Sequence, residues 1–74
     1  MSTHDRGAFG ALLAEAKALG CGGLEFYVRL EEPDDAERWD AVCYHGRSAR
    51  CTGRTGEEAL RRLVEELKAL DARV

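Results

Sequence analysis

Apolar residues in the first quarter of the chain recur with the spacing of an α-helix. One face collects five of them: Phe9, Leu12, Leu13, Ala16 and Leu19. This pattern predicts an amphipathic helix over residues 5–19. Ser2 or Thr3 can cap its start, and Gly20 is a natural stop. The "GCGG" stretch that follows is predicted to turn the chain.

Strict alternation replaces helical spacing in the next segment, "LEFYVRLE". Four apolar residues, Leu24, Phe26, Val28 and Leu30, alternate there with Glu25, Tyr27, Arg29 and Glu31. Alternation of this kind is typical of a strand in a sheet with one buried face. We therefore predict a strand over residues 24–31 whose apolar side faces the core.

Two further strands are predicted, "RWDAVCYH" at 38–45 and "RSARCT" at 47–52, joined as a hairpin. A three-residue loop pairs Tyr44 with Ser48 and groups Trp39, Ala41, Cys43, Ala49 and Cys51 on one face. A two-residue loop pairs Tyr44 with Arg47 and groups Val42 and Tyr44 with Ala49 and Cys51. A slip of one residue exchanges the two faces. We favour the three-residue loop because it buries Trp39.

The last segment, residues 56–74, has the strongest helical pattern. Its apolar stripe is continuous: Leu60, Leu63, Val64, Leu67 and Leu70. Glu57–Arg61 and Glu58–Arg62 are predicted to form i,i+4 ion pairs with the acid first, the favoured order. The element order α-β-β-β-α predicts an α+β fold, a single domain over residues 1–74. Because each helix has one apolar stripe, both are expected on one face of a three-stranded antiparallel meander.

Composition and charge narrow the classes of function. The 74 residues are 45% hydrophobic and 34% charged, with a net charge of −3. Six acids against Arg38 alone give residues 31–46 a charge of −5. Proteins that bind nucleic acid directly normally carry a basic patch, so direct nucleic-acid binding is not expected. The sequence has no apolar run of about 20 residues and no signal-peptide pattern. We therefore expect a cytoplasmic protein that does not enter membranes.

Few residues are candidates for metal binding or catalysis. Cys21, Cys43 and Cys51 include no CxxC spacing, so we expect reduced thiols and, even with His45 nearby, no zinc or other cofactor. His4 lies near the chain start and His45 in a predicted turn, and the paired carboxylates alternate into water. Nucleophilic or acid–base catalysis needs such groups together and desolvated. An enzyme is therefore not expected.

The α-β-β-β-α order resembles the double-stranded-RNA-binding-domain fold over almost the whole chain. That resemblance implies RNA contacts made by lysines at the start of the last helix. The matching positions here are Gly56, Glu57 and Glu58. Two carboxylates would repel an RNA backbone, so none of the RNA-contacting residues of that family carries over.

The segment "GRTGEEAL" resembles the strand-to-helix junction of HicB-type antitoxins. Six residues match the pattern G-x-T-x-E-E-A-L: Gly53, Thr55, Glu57, Glu58, Ala59 and Leu60. This resemblance implies a toxin-neutralising role. Helix capping explains the same residues, since Thr55 and Glu58 have the spacing of a capping box and acids favour a helix start.

Two surfaces are candidates for binding another protein. The sheet face opposite the helices is predicted to expose Tyr27, Arg29, Val42, Tyr44, Ser48 and Arg50, a composition typical of binding hot spots. The acidic loop is the second candidate: Glu31, Glu32, Asp34, Asp35 and Glu37. A dense acidic segment can attract a basic partner. The outer edges of the first and third strands could also pair with a partner or a second copy.

These observations lead to a hypothesis of a non-enzymatic protein-binding module. Its partner would be a protein, for instance a basic one that handles nucleic acid. In size and acidity the chain is similar in type to small inhibitors encoded by phages and mobile elements, anti-CRISPR proteins among them. The alternative hypothesis is an antitoxin-like or RNA-binding domain, as the two resemblances imply.

Overall fold

The computed structural model describes residues 2–32 and 36–72, with side chains from residue 7 onward. Five elements follow one another along the chain: α1 (Ser2–Ala18), β1 (Cys21–Glu31), β2 (Ala36–Gly46), β3 (Ala49–Gly53) and α2 (Gly56–Ala72). The strands form one antiparallel sheet in the order β1-β2-β3. The predicted α+β class and element order are confirmed.

The register of the β2–β3 hairpin confirms the three-residue loop. Cys43 lies opposite Ala49, and Ala41 lies opposite Cys51. His45 and Gly46 carry the chain through the turn with φ angles of 62° and 111°. Because side chains alternate between faces, this register places Ala41 and Cys43 towards the helices.

The core lies between this face of the sheet and the two helices. From α2 it takes Ala59, Leu60, Leu63, Val64 and Leu67, and from α1 it takes Leu12 and Ala16. The sheet supplies mostly small side chains, Cys21, Ala41 and Cys43. Small residues on the sheet let the helix backbones approach closely, so the leucines of α2 provide most of the buried volume.

Several predicted boundaries are corrected. β2 begins at Ala36, two residues earlier than predicted, so Glu37 lies in a strand and not in a loop. α1 begins at Ser2, so neither Ser2 nor Thr3 precedes the helix as a cap. β1 begins at Cys21, and the "GCGG" stretch is largely strand. Glycine is needed there because a Cβ at position 22 would lie 2.2 Å from the carbonyl oxygen of His45. β3 begins two residues later than predicted, at Ala49.

The prediction that β1 buries its whole apolar face is wrong at one end. Leu24 and Phe26 are half-buried against the core, but Val28 is 52% exposed and Leu30 is 66% exposed. β3 ends at Gly53, opposite Trp39, so β1 and β2 continue as a two-stranded ribbon beyond it. We call this ribbon, residues 29–31 of β1 and 36–38 of β2, together with Val28 at its base, the projecting end.

Thr55 and Glu58 cap the start of α2 as predicted, except that the Glu58 carboxylate binds the N–H of Arg54 and not that of Thr55, as a capping box would have it. The Glu58 N–H donates to Thr55 Oγ1 at 3.0 Å, and the Arg54 N–H donates to the Glu58 carboxylate at 2.6 Å. A Cβ at Gly53 would lie 2.6 Å from the Ala59 nitrogen. Glycine at 53 therefore allows the end of β3 to touch the first turn of α2.

Candidate functional site

The sheet face turned away from both helices carries the predicted binding residues together. Tyr27 and Arg29 of β1 lie beside Asp40 and Val42 of β2, and Val42 lies opposite Arg50 of β3. We call this surface the open face. Five side chains of this face border one shallow depression, Tyr27, Arg29, Asp40, Val42 and Arg50, and its rim also includes Val28, whose side chain belongs to the helix side. The alternation of the three strands groups Tyr27, Arg29, Val42 and Arg50 as the sequence predicts, and Asp40 joins them.

Asp40 occupies the centre of the open face and is only 1% exposed. Arg50 donates to its Oδ2 at 2.8 Å, and a second guanidinium, that of Arg29, lies 3.5 Å from the same oxygen. The hydrogen bond from Arg50, followed by the charge of Arg29, lowers the pKa of this carboxyl group below its ordinary value of 3.8. Asp40 is therefore held as a carboxylate beneath two arginines.

The sequence interpretation missed this role of Asp40 and counted the residue among the acidic segment. Two signals could have found it. The first is alternation along β2, which puts Asp40 on the same face as Val42. The second is the presence of arginines close to its partners on the two flanking strands, Arg29 on β1 and Arg50 on β3. Within the described residues, its Oδ1 is the only buried side-chain oxygen or nitrogen with no hydrogen-bond partner.

The two arginines remain largely in solvent although they share Asp40. The side chain of Arg29 is 56% exposed and that of Arg50 is 63% exposed. Arg50 uses one donor of its guanidinium on the carboxylate and Arg29 contacts it as an ion pair, so most of the five donors of each guanidinium stay available. The shared contact thus fixes the position of two cationic groups on an otherwise flat sheet.

Aromatic side chains flank this cluster. The exposed Tyr27 donates its hydroxyl to Glu25, and this hydrogen bond raises the pKa of the phenol. Half-buried Tyr44 lies over Gly23, where a Cβ would come within 2.7 Å of the ring. Its ring centroid is 4.7 Å from that of His45. Tyr44 is thus packed in place, whereas the ring of Tyr27 is accessible.

The acidic loop is less uniformly acidic in the structure than its sequence suggests. Glu31 forms an ion pair with Arg38 at 2.9 Å, and Glu37 accepts a hydrogen bond from the Trp39 indole at 3.0 Å. Glu32 is exposed. Asp34 and Asp35, two of the five predicted loop residues, lie outside the described residues.

A second depression, of about 310 Å³, lies where β2 continues past the end of β3. Three arginines and three glutamates line it: Arg38, Arg54, Arg62, Glu31, Glu37 and Glu58. Because the charges balance, this depression has no evident preference for a ligand of either sign.

The helix start that resembles two families is occupied by its own side chains. Arg61 binds Glu57 at 2.7 Å, and Arg62 lies 3.6 Å from Glu58, as predicted. Arg62 also donates to the Thr52 carbonyl at 3.0 Å. The Glu58 carboxylate fills the position at the N–H groups where an anion would otherwise bind. No donor arrangement suited to phosphate emerges among these contacts.

All three cysteines are free thiols. Cys43 donates to the Arg47 carbonyl, and burial, followed by the neighbouring Cys21, raises the pKa of its thiol to about 12. Burial also raises the pKa of Cys51. Among the side chains that the structure describes, those of residues 7–32 and 36–72, no group of three or more His, Cys, Asp or Glu is arranged to hold a metal ion.

Comparison of this chain with protein-family models, with curated proteins and with solved structures found no match. The resemblances to double-stranded-RNA-binding domains and HicB-type antitoxins therefore stay predictions. In the part of the chain that the structure describes, neither helix is long and apolar enough to cross a membrane.

Proposed function

We propose that this protein is a non-enzymatic binding module that recognises another protein through its open face. The observation that carries the proposal is the pair of arginines held over buried Asp40 beside accessible Tyr27. Arginine and tyrosine dominate the energetics of many protein interfaces. Their side chains lose less entropy on binding when they are already positioned.

The chemistry of the open face indicates how a partner would bind. A carboxylate or carbonyl of the partner would take the guanidinium donors of Arg29 and Arg50 that Asp40 leaves in solvent. Tyr27 and Val42 would supply apolar contact beside them. Asp40 would keep the two guanidinium groups from repelling each other.

The acidic loop would extend this interface. Glu31, Glu32, Asp34, Asp35 and Glu37 would steer a basic surface of the partner towards the open face. A basic partner that handles nucleic acid fits this chemistry, which makes an inhibitor of the phage or mobile-element type our specific proposal. The overall acidity and the occupied start of α2 weigh against direct RNA binding.

A pull-down from the native host, compared between matched variants, tests this proposal. Tyr27→Ala removes an accessible aromatic ring from the open face, and Leu13→Ala removes an exposed apolar side chain from α1 on the opposite side. We expect the partner to be captured by the wild type and by Leu13→Ala but lost with Tyr27→Ala. Equal capture by both variants would exclude the open face.

Charge reversal in the acidic loop tests the second surface separately. Asp34→Lys with Asp35→Lys leaves the Glu37–Trp39 and Glu31–Arg38 contacts in place. Weaker capture with greater salt sensitivity is expected, because steering acts through charge. Tight, salt-sensitive binding of the wild type to duplex RNA would instead overturn the proposal in favour of an RNA-binding domain.

A further inference from the structure

We propose that β1 pairs with β1 of a second copy of this chain, antiparallel and with Tyr27 opposite its own counterpart. The two three-stranded sheets would then join into one sheet of six strands. This inference concerns the outer edge of β1 and is argued from observations other than those behind the proposed function, although Arg29 would take part in both contacts.

The outer edge of β1 is long and regular. β1 has 11 residues, about twice the usual length of a strand. From Gly23 opposite Tyr44 to Glu31 opposite Ala36, its pairing with β2 advances one residue at a time, so no bulge bends it. It also contains no proline or lysine. Natural edge strands are normally shortened, bulged or blocked by such residues to prevent pairing.

The opposite edge of the sheet is different. β3 has only five residues, and Arg62 of α2 donates to the carbonyl of Thr52 at 3.0 Å. β3 therefore offers a short edge on which a helix side chain already binds the backbone. Between the two edges of the sheet, β1 is therefore the one suited to pairing.

The charges on β1 are self-complementary in one register. A two-fold axis at Tyr27 places Glu25 opposite Arg29 of the second copy, and Arg29 opposite Glu25, so that two ion pairs form on the open side. Directly opposed unlike charges stabilise antiparallel strands. Neighbouring registers lack this feature. An axis at Val28 places Glu25 opposite Glu31, and an axis at Arg29 places two arginines together.

A remaining register, with the axis at Phe26, gives Arg29 no acidic partner, since it lies opposite Gly23. Registers with the axis between two residues are not considered, because they would pair side chains that point to opposite faces of the sheet. The axis at Tyr27 is thus favoured by charge.

The same register covers the two aliphatic residues that β1 leaves exposed on the helix side, Val28 and Leu30. On the helix side it places Val28 opposite Phe26 of the second copy and Leu30 opposite Leu24. Val28 is 52% exposed and Leu30 is 66% exposed in the single chain. Pairing would bury these side chains against half-buried neighbours. The charges on the open side of β1 and the apolar residues on its helix side therefore favour the same register.

Two charge-reversed variants test the pairing and its register. Glu25→Arg alone puts arginines at both positions 25 and 29, and Arg29→Glu alone puts glutamates at both. Each variant should weaken self-association by about tenfold or more, because each replaces two attractive pairs by two repulsive ones. Mixed together, the variants should form a heterodimer, because opposite charges then face each other at both pairs.

Sedimentation equilibrium and native mass spectrometry of the two variants, separately and mixed, provide the readout. Arg54→Glu is the matched control for Arg29→Glu, since it makes the same charge change at an exposed position after β3 and should leave the dimer intact. Circular dichroism checks that each variant is folded. Leu30→Ser should also weaken the dimer while barely affecting the single chain.

Three results would overturn the proposal. The first is a wild-type protein that stays monomeric at millimolar concentration. The second is a dimer that Glu25→Arg, Arg29→Glu and Leu30→Ser all leave intact, which would place the contact elsewhere. The third is a pair of monomeric variants that fail to associate when mixed, which would exclude this register.

Discussion

The two ends of the β1–β2 ribbon have similar sequence patterns but different surroundings. At the covered end, Ala41 and Cys43 are at most 1% exposed beneath α2. At the projecting end, Val28 and Leu30 face the same side of the sheet but are 52% and 66% exposed. Phe26 lies between the two ends, with its ring 5.7 Å from Phe9 and 6.5 Å from Trp39.

This contrast shows that alternation determines the face of a side chain and not its burial. Leu24 to Leu30 alternate without interruption, so all four apolar residues belong to one face. Burial then depends on how far the helices and β3 reach along the ribbon. The apolar surface beyond that reach is the surface that a second copy would cover.

The largest effect is expected from the covered end. Leu63→Ala removes a fully buried side chain from the centre of α2 and should lower the free energy of unfolding by about 2–5 kcal/mol. Urea denaturation followed by circular dichroism measures this loss. A loss well below that range would mean that α2 does not form the core as described.

A smaller loss is expected where β3 meets α2. Gly53→Ala places a Cβ 2.6 Å from the Ala59 nitrogen, which should cost about 1–3 kcal/mol of stability by forcing the helix away. Gly10→Ala is the matched control. It adds a methyl group in open space within α1 and should stabilise the protein by up to about 1 kcal/mol. Equal effects of the two substitutions in the same denaturation experiment would contradict the close approach.

Loss of the helix cap should lower the free energy of unfolding by less than either Leu63→Ala or Gly53→Ala. Thr55→Ala removes the acceptor for the Glu58 N–H and should lower the unfolding free energy by about 1 kcal/mol. Thr55→Ser keeps the hydroxyl and should be close to neutral. The same urea titration distinguishes them, and a Thr55→Ser variant as unstable as Thr55→Ala would argue against the cap.

The charge cluster on the open face predicts a dependence of stability on pH. The pKa of Asp40 is lower in the folded protein than its ordinary value of 3.8, so its contribution to stability is present above that value. This contribution is lost as the pH falls through the folded pKa. Asp40→Asn should therefore be less stable than the wild type at neutral pH, with a difference that shrinks in acid. A difference that stays constant on acidification in thermal unfolding would contradict this account.

The smallest effect on the single chain is expected at the projecting end. Leu30→Ser should change the unfolding free energy by no more than about 0.5 kcal/mol in dilute solution, because the side chain is already exposed. At higher protein concentration the wild type should gain stability over this variant, since dimerisation stabilises only the folded form. A large loss in dilute solution would show that Leu30 packs within its own chain.

Individual residues show how much of the fold and of the candidate site can be predicted from the sequence. The stripe of α2 is predicted because Leu60, Leu63 and Leu67 repeat with a helical period whatever they contact. The hairpin register follows because Trp39 needs the covered side. The alternation of β2 and the arginines on both flanking strands could have placed Asp40 on the open face, but its burial depends on contacts between strands that no local pattern encodes. Glycines that look like a turn in "GCGG" serve close strand contacts, which are non-local.

The contact between Leu24 and Leu30 tests the account most directly. Within one strand these residues are about 20 Å apart, too far for a nuclear Overhauser effect. In the proposed dimer, Leu24 of one copy faces Leu30 of the other. We predict a methyl–methyl Overhauser effect between them that strengthens with protein concentration. Its absence in a sample shown to be dimeric, or a spectrum unchanged by concentration up to the millimolar range, would contradict the pairing of β1 with itself.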